Sequence, residues 1–297
     1  MGMLKVSIVG VGRLGGALAL ALDKSCQTID ALIYRNGHTA EAVAARLRVP
    51  PKMVQATGPE KLSSDVFIVA AGDPEIGPAA AAAAQMAEKP AIFLHTSGSL
   101  SSEVIGELRG SGHFVGSMHP LASISDPELG VKNFDGAFFC IEGDEQAAAA
   151  ATTIAEALGG RPFSIPADKK ALYHASAVMA CGHLVALIDI ATEMLVKCGV
   201  GSETAANLLM PLVRSTISNL AATSAEAALT GSFARGDAAA VGRHVDAIAG
   251  SGSQSMLDVY IDLGRRSLEI AERRGLDPAA AEAVRSRLSM AKTGREC

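Results

Sequence analysis

Val6-Ser7-Ile8-Val9-Gly10-Val11-Gly12-Arg13-Leu14-Gly15 is the stretch on which the fold turns. Four residues of strand character run into a GxGxxG spacing, and Leu14 to Leu22 then continue with helical periodicity. In such a turn the first glycine permits the tight bend and the second lets backbone approach a diphosphate. The third lets the helix pack closely on the strand. The helix start adds free N–H groups and the positive end of a dipole. The motif alone is weak evidence, since a glycine-rich turn need hold nothing. Here it directly follows a strand and opens a helix within a run of strand–helix units, so it reads as a dinucleotide-binding turn.

Outward from that turn, short apolar runs alternate with helical stretches. Ala31-Leu32-Ile33-Tyr34 reads as a strand, Ala40 to Leu47 as helix, and Val66-Phe67-Ile68-Val69 and Ala91-Ile92-Phe93-Leu94 as buried strands. Pro74 opens an Ala-rich helix between the last two, a position where proline is tolerated. Phe114-Val115-Gly116-Ser117 and Ala137-Phe138-Phe139-Cys140-Ile141 are further strands, and a short one lies near Pro162-Phe163. This alternation predicts an α/β fold with a mostly parallel sheet covered on both faces. From Ala167 to Met290 the periodicity is helical throughout. Leu172 to Val196 reads as one long helix, and Thr204 to Leu220 as another that Pro211 should kink. Helices over Ala238 to Ala249, Ser255 to Arg273 and Pro278 to Met290 complete this half. The expected organisation is a Rossmann domain over 1–165 and an all-helical substrate and dimerisation domain over 166–297.

The residue after the second strand bears on the choice of coenzyme. An NAD site usually carries Asp or Glu there to hold the ribose 2′-hydroxyl. This chain reads Tyr34-Arg35-Asn36, and Asp30 lies at the opposite end of the strand. A guanidinium at Arg35 suits a 2′-phosphate, so NADP(H) is the expected cofactor; the plainer alternative is an exposed loop charge. Ligands in such sheets bind beyond the carboxyl ends of the strands. Ala71-Gly72-Asp73, Thr96-Ser97 and His119 leave those ends. The cofactor-binding set is therefore Gly10, Gly12, Arg13, Leu14, Gly15, Arg35, Asn36, Ala71, Gly72, Asp73, Thr96 and Ser97.

In the helical half, Lys170 and His174 are spaced i, i+4 and share a helix face that Ala177 and Cys181 keep small. Either is placed to protonate a carbonyl oxygen as hydride arrives. The alternative is a solvated lysine in a first turn and a hydrogen-bonded core histidine. Arg235, between glycines, suits a substrate carboxylate or an acidic neighbour; Asn219 suits substrate or a backbone group. Asp237 reads first as a helix N-cap. His183 reads as structural, and His38 and His113 as surface residues.

Bulk composition narrows the class. The 297 residues carry a net charge of -5, with 4% aromatic residues and no tryptophan. No basic stripe is present to neutralise phosphates and little is available for base stacking, so nucleic acid is not an expected partner. No signal-peptide pattern precedes the first strand, Met1-Gly2-Met3 has the look of an expression remnant, and no apolar run reads as long enough to span a bilayer. The five cysteines, Cys26, Cys140, Cys181, Cys198 and Cys297, form no CxxC pair. Free thiols in a reducing cytoplasm are expected, with neither metal site nor disulfide framework.

Five segments together resemble a known family. They are His95-Thr96-Ser97-Gly98, Ser117-Met118-His119-Pro120-Leu121, Lys170-Ala171-Leu172-Tyr173-His174-Ala175, Leu209-Met210-Pro211-Leu212, and Ala228-Leu229-Thr230-Gly231 followed by Arg235-Gly236-Asp237. The chain resembles, over nearly its whole length, bacterial Rossmann-like oxidoreductases whose C-terminal half is catalogued as domain of unknown function 2520. These are related to ketopantoate reductases, pyrroline-carboxylate reductases and hydroxyisobutyrate-type dehydrogenases. The resemblance implies a helical half like the C-terminal domain of 6-phosphogluconate dehydrogenase, and a homodimer. It also implies NADP(H)-dependent reduction of a small oxo acid, ketopantoate-like, at the interdomain cleft. Lys170 would then be the acid and His174 its assistant or replacement, with His119, Asn219 and Arg235 binding the carboxylate substrate. The family pattern often has Ser-Asn where this chain has Cys181-Gly182. The His119-Pro120 after the Phe114-Val115-Gly116-Ser117 strand is also similar to prephenate dehydrogenases, which the helical half is not. Two other readings stay open: an imine reductase of the pyrroline-carboxylate kind, and a regulatory or redox-sensing protein that binds NADP without catalysis.

Overall fold

The computed structural model describes residues 4–25 and 27–293; Cys26, Cys297 and the opening Met1-Gly2-Met3 lie outside the described residues. The chain forms two compact units, Met1–Gly182 and His183–Cys297. The last strand ends at Phe163, as the sequence implies. The first unit nevertheless runs on past residue 165, because the helix that begins at Lys170 is tied to the strands by side-chain bonds described below.

The first unit is built on one eight-stranded sheet. Its strands are β1 (Lys5–Val9), β2 (Thr28–Tyr34), β3 (Lys52–Gln55), β4 (Val66–Val69), β5 (Ile92–His95), β6 (Phe114–Pro120), β7 (Phe138–Gly143) and β8 (Arg161–Phe163). They lie in the order β3-β2-β1-β4-β5-β6-β7-β8. Every neighbouring pair is parallel except β6 with β7, which is antiparallel and sets Ser117 opposite Glu142. β3 has no counterpart in the sequence reading, because its four residues KMVQ bury only Val54 and carry no apolar run.

Helices cover both faces of the sheet. They are α1 (Arg13–Lys24), α2 (Gly37–Ala44), α3 (Asp73–Met86), the single turn α4 (Pro127–Gly130), α5 (Glu145–Ala157) and α6 (Lys170–Ala180). Strand side chains alternate between two cores, as the pleat requires. Ile8, Val66, Ile68 and Leu94 face a cluster with Leu18, Leu22 and Ile154, whereas Val9, Phe67, Val69 and Phe93 face one with Ile76, Ala80 and Ile105. His113 belongs to the interior rather than the surface. Its Nδ1 accepts a hydrogen bond from the Ala91 amide, and its ring meets Phe93 edge-on.

The second unit contains α7 (Gly182–Lys197, which starts at the boundary residue), α8 (Ser202–Ala222), the short turns α9 (Ala225–Ala228) and α10 (Gly231–Ala234), α11 (Ala238–Gly250), α12 (Gln254–Arg273) and α13 (Pro278–Thr293). Its core is the seam of α11, α12 and α13, formed by Val241, Val245, Leu257, Ile261, Leu268, Val284 and Leu288. α8 continues across Pro211. The single helix expected over Leu172 to Val196 is instead α6 and α7, separated at Cys181. The expectation about apolar length also needs correcting. Ala167–Lys197 is long and apolar enough to cross a membrane by length and composition, with a mean hydropathy of 1.7. The sequence reading missed it because His174, His183 and Asp189 interrupt the apolar letters. Several large side chains on it are exposed, among them Leu172 and Met179 on α6 and Val185 on α7.

Phe67 and Phe93 stack in the centre of the sheet, 4.8 Å between centroids and fully buried. Phe93→Ala should lower unfolding free energy by about 3–5 kcal/mol, through lost burial and an unfilled cavity. Urea unfolding followed by circular dichroism measures this, and a loss below about 1 kcal/mol would mean the stack is not the centre of the fold.

Candidate functional site

The glycine turn has the geometry its spacing implies. Gly10 has φ +91, and a Cβ there would stand 2.7 Å from the Ala70 carbonyl oxygen. A Cβ on Gly15 would stand 2.0 Å from the Gly10 carbonyl oxygen, so only glycine lets α1 lie against the turn. Gly12 differs: a Cβ there would meet nothing within 4 Å. It is the N-cap of α1 and makes no side-chain cap bond. Gly10 and Gly15 are thus required by the protein's own packing. Gly12 faces open space beside free helix N–H groups, which is where a diphosphate fits.

A cavity of about 560 Å³ opens beside it, lined by Gly10, Gly12, Arg35, Asn36, Gly72 and Glu75 among others. Arg35 Nη1 is 2.8 Å from Glu75 Oε2, and both side chains are exposed. Asn36 is occupied locally, its Oδ1 capping α2 by accepting from the His38 amide. Arg13 lies on the other side of the turn, lining a separate cavity with His38, Arg46 and Asp126.

A third cavity, of about 270 Å³, lies at the ends of β5 and β6 and shares Ala71 with the first. Leu14, Asp73, Thr96, Ser97, His119 and His174 line it. The loop after β5 is held by its own side chains: Ser97 Oγ accepts from the amides of Ser99 and Leu100. The Ser99 hydroxyl donates to Asp73 Oδ2. Burial works against the Asp73 carboxylate, but the Ser99 and Ser97 hydroxyls and the facing His174 and His95 hold its pKa below the usual value. Gly98 closes the loop where two imidazoles converge. A Cβ there would stand 2.5 Å from His174 Nδ1 and 2.9 Å from His119 Nε2. His119 Nδ1 is 2.8 Å from the Tyr173 hydroxyl. His174 Nδ1 is buried and has no hydrogen-bond partner.

Behind this wall lies a buried cation. Lys170 is 1% exposed, and its ammonium donates to the Ser97 carbonyl and the Ser117 hydroxyl. Glu142 Oε1 stands 3.7 Å away. Glu142 also accepts from the Ser102 amide and hydroxyl. Burial pulls the Lys170 pKa below that of a free lysine, and Glu142 opposes the shift. His95 completes the group. Its Nδ1 accepts from the Ser97 amide and its Nε2 faces the Ser101 carbonyl, so the proton sits on Nε2. Burial, then the neighbouring Lys170, lowers its pKa to about 4. His119 is lowered to about 4 as well, by burial first and then by His174 and Lys170.

The structure therefore gathers most residues singled out from the sequence into one unit. Lys170 and His174 do share a face, but only His174 lines the cavity; Lys170 touches the reverse of the Ser97 loop. Asn219 and Arg235 belong to the second unit and not to this cluster. Asn219 is exposed on α8, and Arg235 lines a cavity of about 460 Å³ with Thr230, Arg274 and Asp277. Asp237 caps α11 by accepting from the Ala240 amide. Glu142 and Tyr173 escaped the sequence reading as functional residues. The one available signal for Glu142 was a carboxylate directly after the apolar run of a buried strand.

His95 and His119, each with its pKa lowered to about 4, make stability pH-dependent. In the unfolded chain they titrate near pH 6.5, so above that pH both states are neutral and their contribution is full. As pH falls from about 6.5 towards 4 the unfolded chain takes up protons that the folded chain refuses, and stability declines. Urea midpoints should fall over that window, and His95→Gln should flatten the fall. A midpoint constant down to about pH 4.5 would show that these imidazoles titrate normally.

Comparison with known proteins finds two family models along the chain. Residues 1–120 match the model of the Rossmann-like domain, and residues 137–267 that of the domain of unknown function DUF2520. No curated protein matches the chain. Among solved structures, a Bacteroides fragilis protein whose name proposes an NADP oxidoreductase superposes with a TM-score of 0.74 at 22% identity, covering 90% of this chain and 98% of its own. A Thermotoga maritima protein gives 0.70 at 24% identity, over 91% and 99% of the two chains. Plasmodium falciparum pyrroline carboxylate reductase with NADP bound gives 0.51 at 14% identity, over 96% and 99%. At such identities the likeness is one of fold. The chain thus joins a Rossmann-like domain to a DUF2520 domain.

Proposed function

We propose that this protein is an NADP(H)-dependent reductase of a small carboxylate-bearing carbonyl compound, an oxo acid of the ketopantoate kind. One observation carries the reading: His174, whose buried Nδ1 has no hydrogen-bond partner, lines a cavity that adjoins the open glycine turn. A reduced nicotinamide coenzyme, bound along that turn, supplies the hydride. The backbone at Gly12 and the start of α1 bind its diphosphate, and Ala71 and Gly72 flank it.

The protein's own residues supply the proton and the field. His174 donates the proton to the substrate oxygen and recovers it from solvent. His119, neutral and fixed by Tyr173, presents Nε2 to the same space. Lys170 stays behind the Ser97 loop as a cation. In a dry site its field favours negative charge developing on the substrate oxygen. This moves Lys170 from proton donor to electrostatic support, because two of its three N–H donors are engaged and Glu142 faces the ammonium. An imine reduced to an amine needs the same two deliveries, and the fold shared with a pyrroline carboxylate reductase favours it as a second reading.

The apolar side chains left exposed on α7 and α8, among them Val185, Leu208 and Leu212, favour a homodimer in which a second copy covers them. The unpaired thiols of Cys140, Cys181 and Cys198 suit the cytoplasm.

Loss of NADPH absorbance over a panel of small oxo acids and cyclic imines tests the activity. With the substrate so found, His174→Ala should lower kcat about 100-fold or more. Near-normal turnover in His174→Ala beside a dead but folded Lys170→Met would return the proton to Lys170. NADPH that binds but is not oxidised by any member of the panel would point to a non-catalytic protein. Light scattering should give twice the chain mass, and a monomer would reject the dimer.

A further inference from the structure

The cavity beside the glycine turn contains two charged side chains among its lining residues, Arg35 and Glu75, and they are paired with each other. Their origins make the pairing informative. Arg35 follows β2, and Glu75 lies in the first turn of α3, which follows β4. In the sheet β1 lies between β2 and β4. The ion pair therefore arches over the carboxyl end of β1, where the glycine turn begins. Part of Glu75's placement has an ordinary cause, since an acid in a first helical turn is favoured by the dipole. That cause does not require the carboxylate to reach across β1 to the one guanidinium in the cavity.

The end of β2 lacks the acid that would hold a ribose diol, and offers Arg35 and Asn36 instead. Glu75 brings a carboxylate to the same cavity from the other side of β1. The geometry points to the Arg35–Glu75 pair as an exchangeable coenzyme selector, with Glu75 as the specificity-determining residue that sequence position alone conceals. This rests on the dinucleotide reading above. Arg35 recognises the extra phosphate of NADP(H) and must leave Glu75 to do so. Glu75 accepts from the ribose hydroxyl of NAD(H) and can do so with Arg35 still beside it. Exposed ion pairs of this kind are held weakly, so either exchange costs little. With NADP(H) in place, Glu75 stands as a like charge near the phosphate and weakens it. The chain is thereby kept open to both coenzymes, with the preference set by one carboxylate and one guanidinium.

Titration calorimetry on the full-length protein tests this without any substrate, using NADPH, NADH and 2′,5′-ADP as probes. Glu75→Gln should tighten NADPH and 2′,5′-ADP about 10-fold and leave NADH unchanged or weaker, as expected for removing a like charge near the phosphate. Arg35→Met should do the reverse, losing the 2′,5′-ADP heat while keeping NADH. In Arg35→Met/Glu75→Gln the two preferences should largely cancel. Both side chains are exposed, so circular dichroism should be unchanged. Equal shifts for NADPH and NADH in either variant, or none, would overturn the selector while leaving the dinucleotide site standing. No heat with either coenzyme in the wild type would remove the site itself, and the selector with it.

Discussion

Everything at the ligand-bearing edge depends on one close approach, that of α1 to the Gly10 carbonyl across Gly15. With 2.0 Å between a notional Cβ and that oxygen, no side chain can be inserted without lifting the helix from the sheet. The start of α1 would then no longer present its N–H groups beside Gly12. The adjacent core amplifies the constraint, because Leu18 and Leu22 on α1 are fully buried against strand residues of the same cluster. Glycine thus acts twice within six residues, once to let backbone meet backbone and once to leave room for something that is not protein.

The second organising element is electrostatic. Lys170 is a full charge placed where solvent barely reaches, and such a charge persists only when it is compensated. Glu142, Ser117 and the Ser97 carbonyl do this from three different segments. The same ammonium disfavours protonation of His95 and His119, so His119 meets the cavity as a neutral hydrogen-bonding group rather than a cation. The wall of the cavity and the charge behind it are one structure: the loop that closes the cavity is the loop the lysine holds.

Much of this was legible in the letters, for physical reasons. The glycine spacing, the apolar runs of β4, β5 and β7 and the proline-opened α3 are local signals, and local signals survive without knowledge of what packs against them. The i, i+4 spacing of Lys170 and His174 placed both on one face correctly. It was silent about depth, so a lysine expected at the substrate turned out to face the reverse of a loop. Glu142 and Tyr173 were invisible because their partners lie 28 and 54 positions away, from Glu142 to Lys170 and from His119 to Tyr173. β3 was missed because two apolar residues between Lys52 and Gln55 make no run, and His113 because nothing local distinguishes a buried imidazole from a solvated one. Glu75 illustrates the same limit, since a sequence search for an acid after β2 cannot see one delivered from beyond β1.

The lone antiparallel pair in the sheet also has a bearing on how such a protein can diversify. Parallel neighbours need a crossover that returns to the far end, and its length is constrained by the layer it builds. Because β7 runs back along β6, the 121–137 connection starts and finishes at the same edge. It supplies Ala122 and Ile124 to the small cavity, and Ser125 and Asp126 to the one beside Arg13. Changes within its 122–126 stretch would leave every strand register intact while reshaping two neighbouring recesses, whereas Gly130 and Phe134 further along it are buried in the core. The architecture keeps the adaptable part of the connection beside the chemistry and anchors the remainder beneath it.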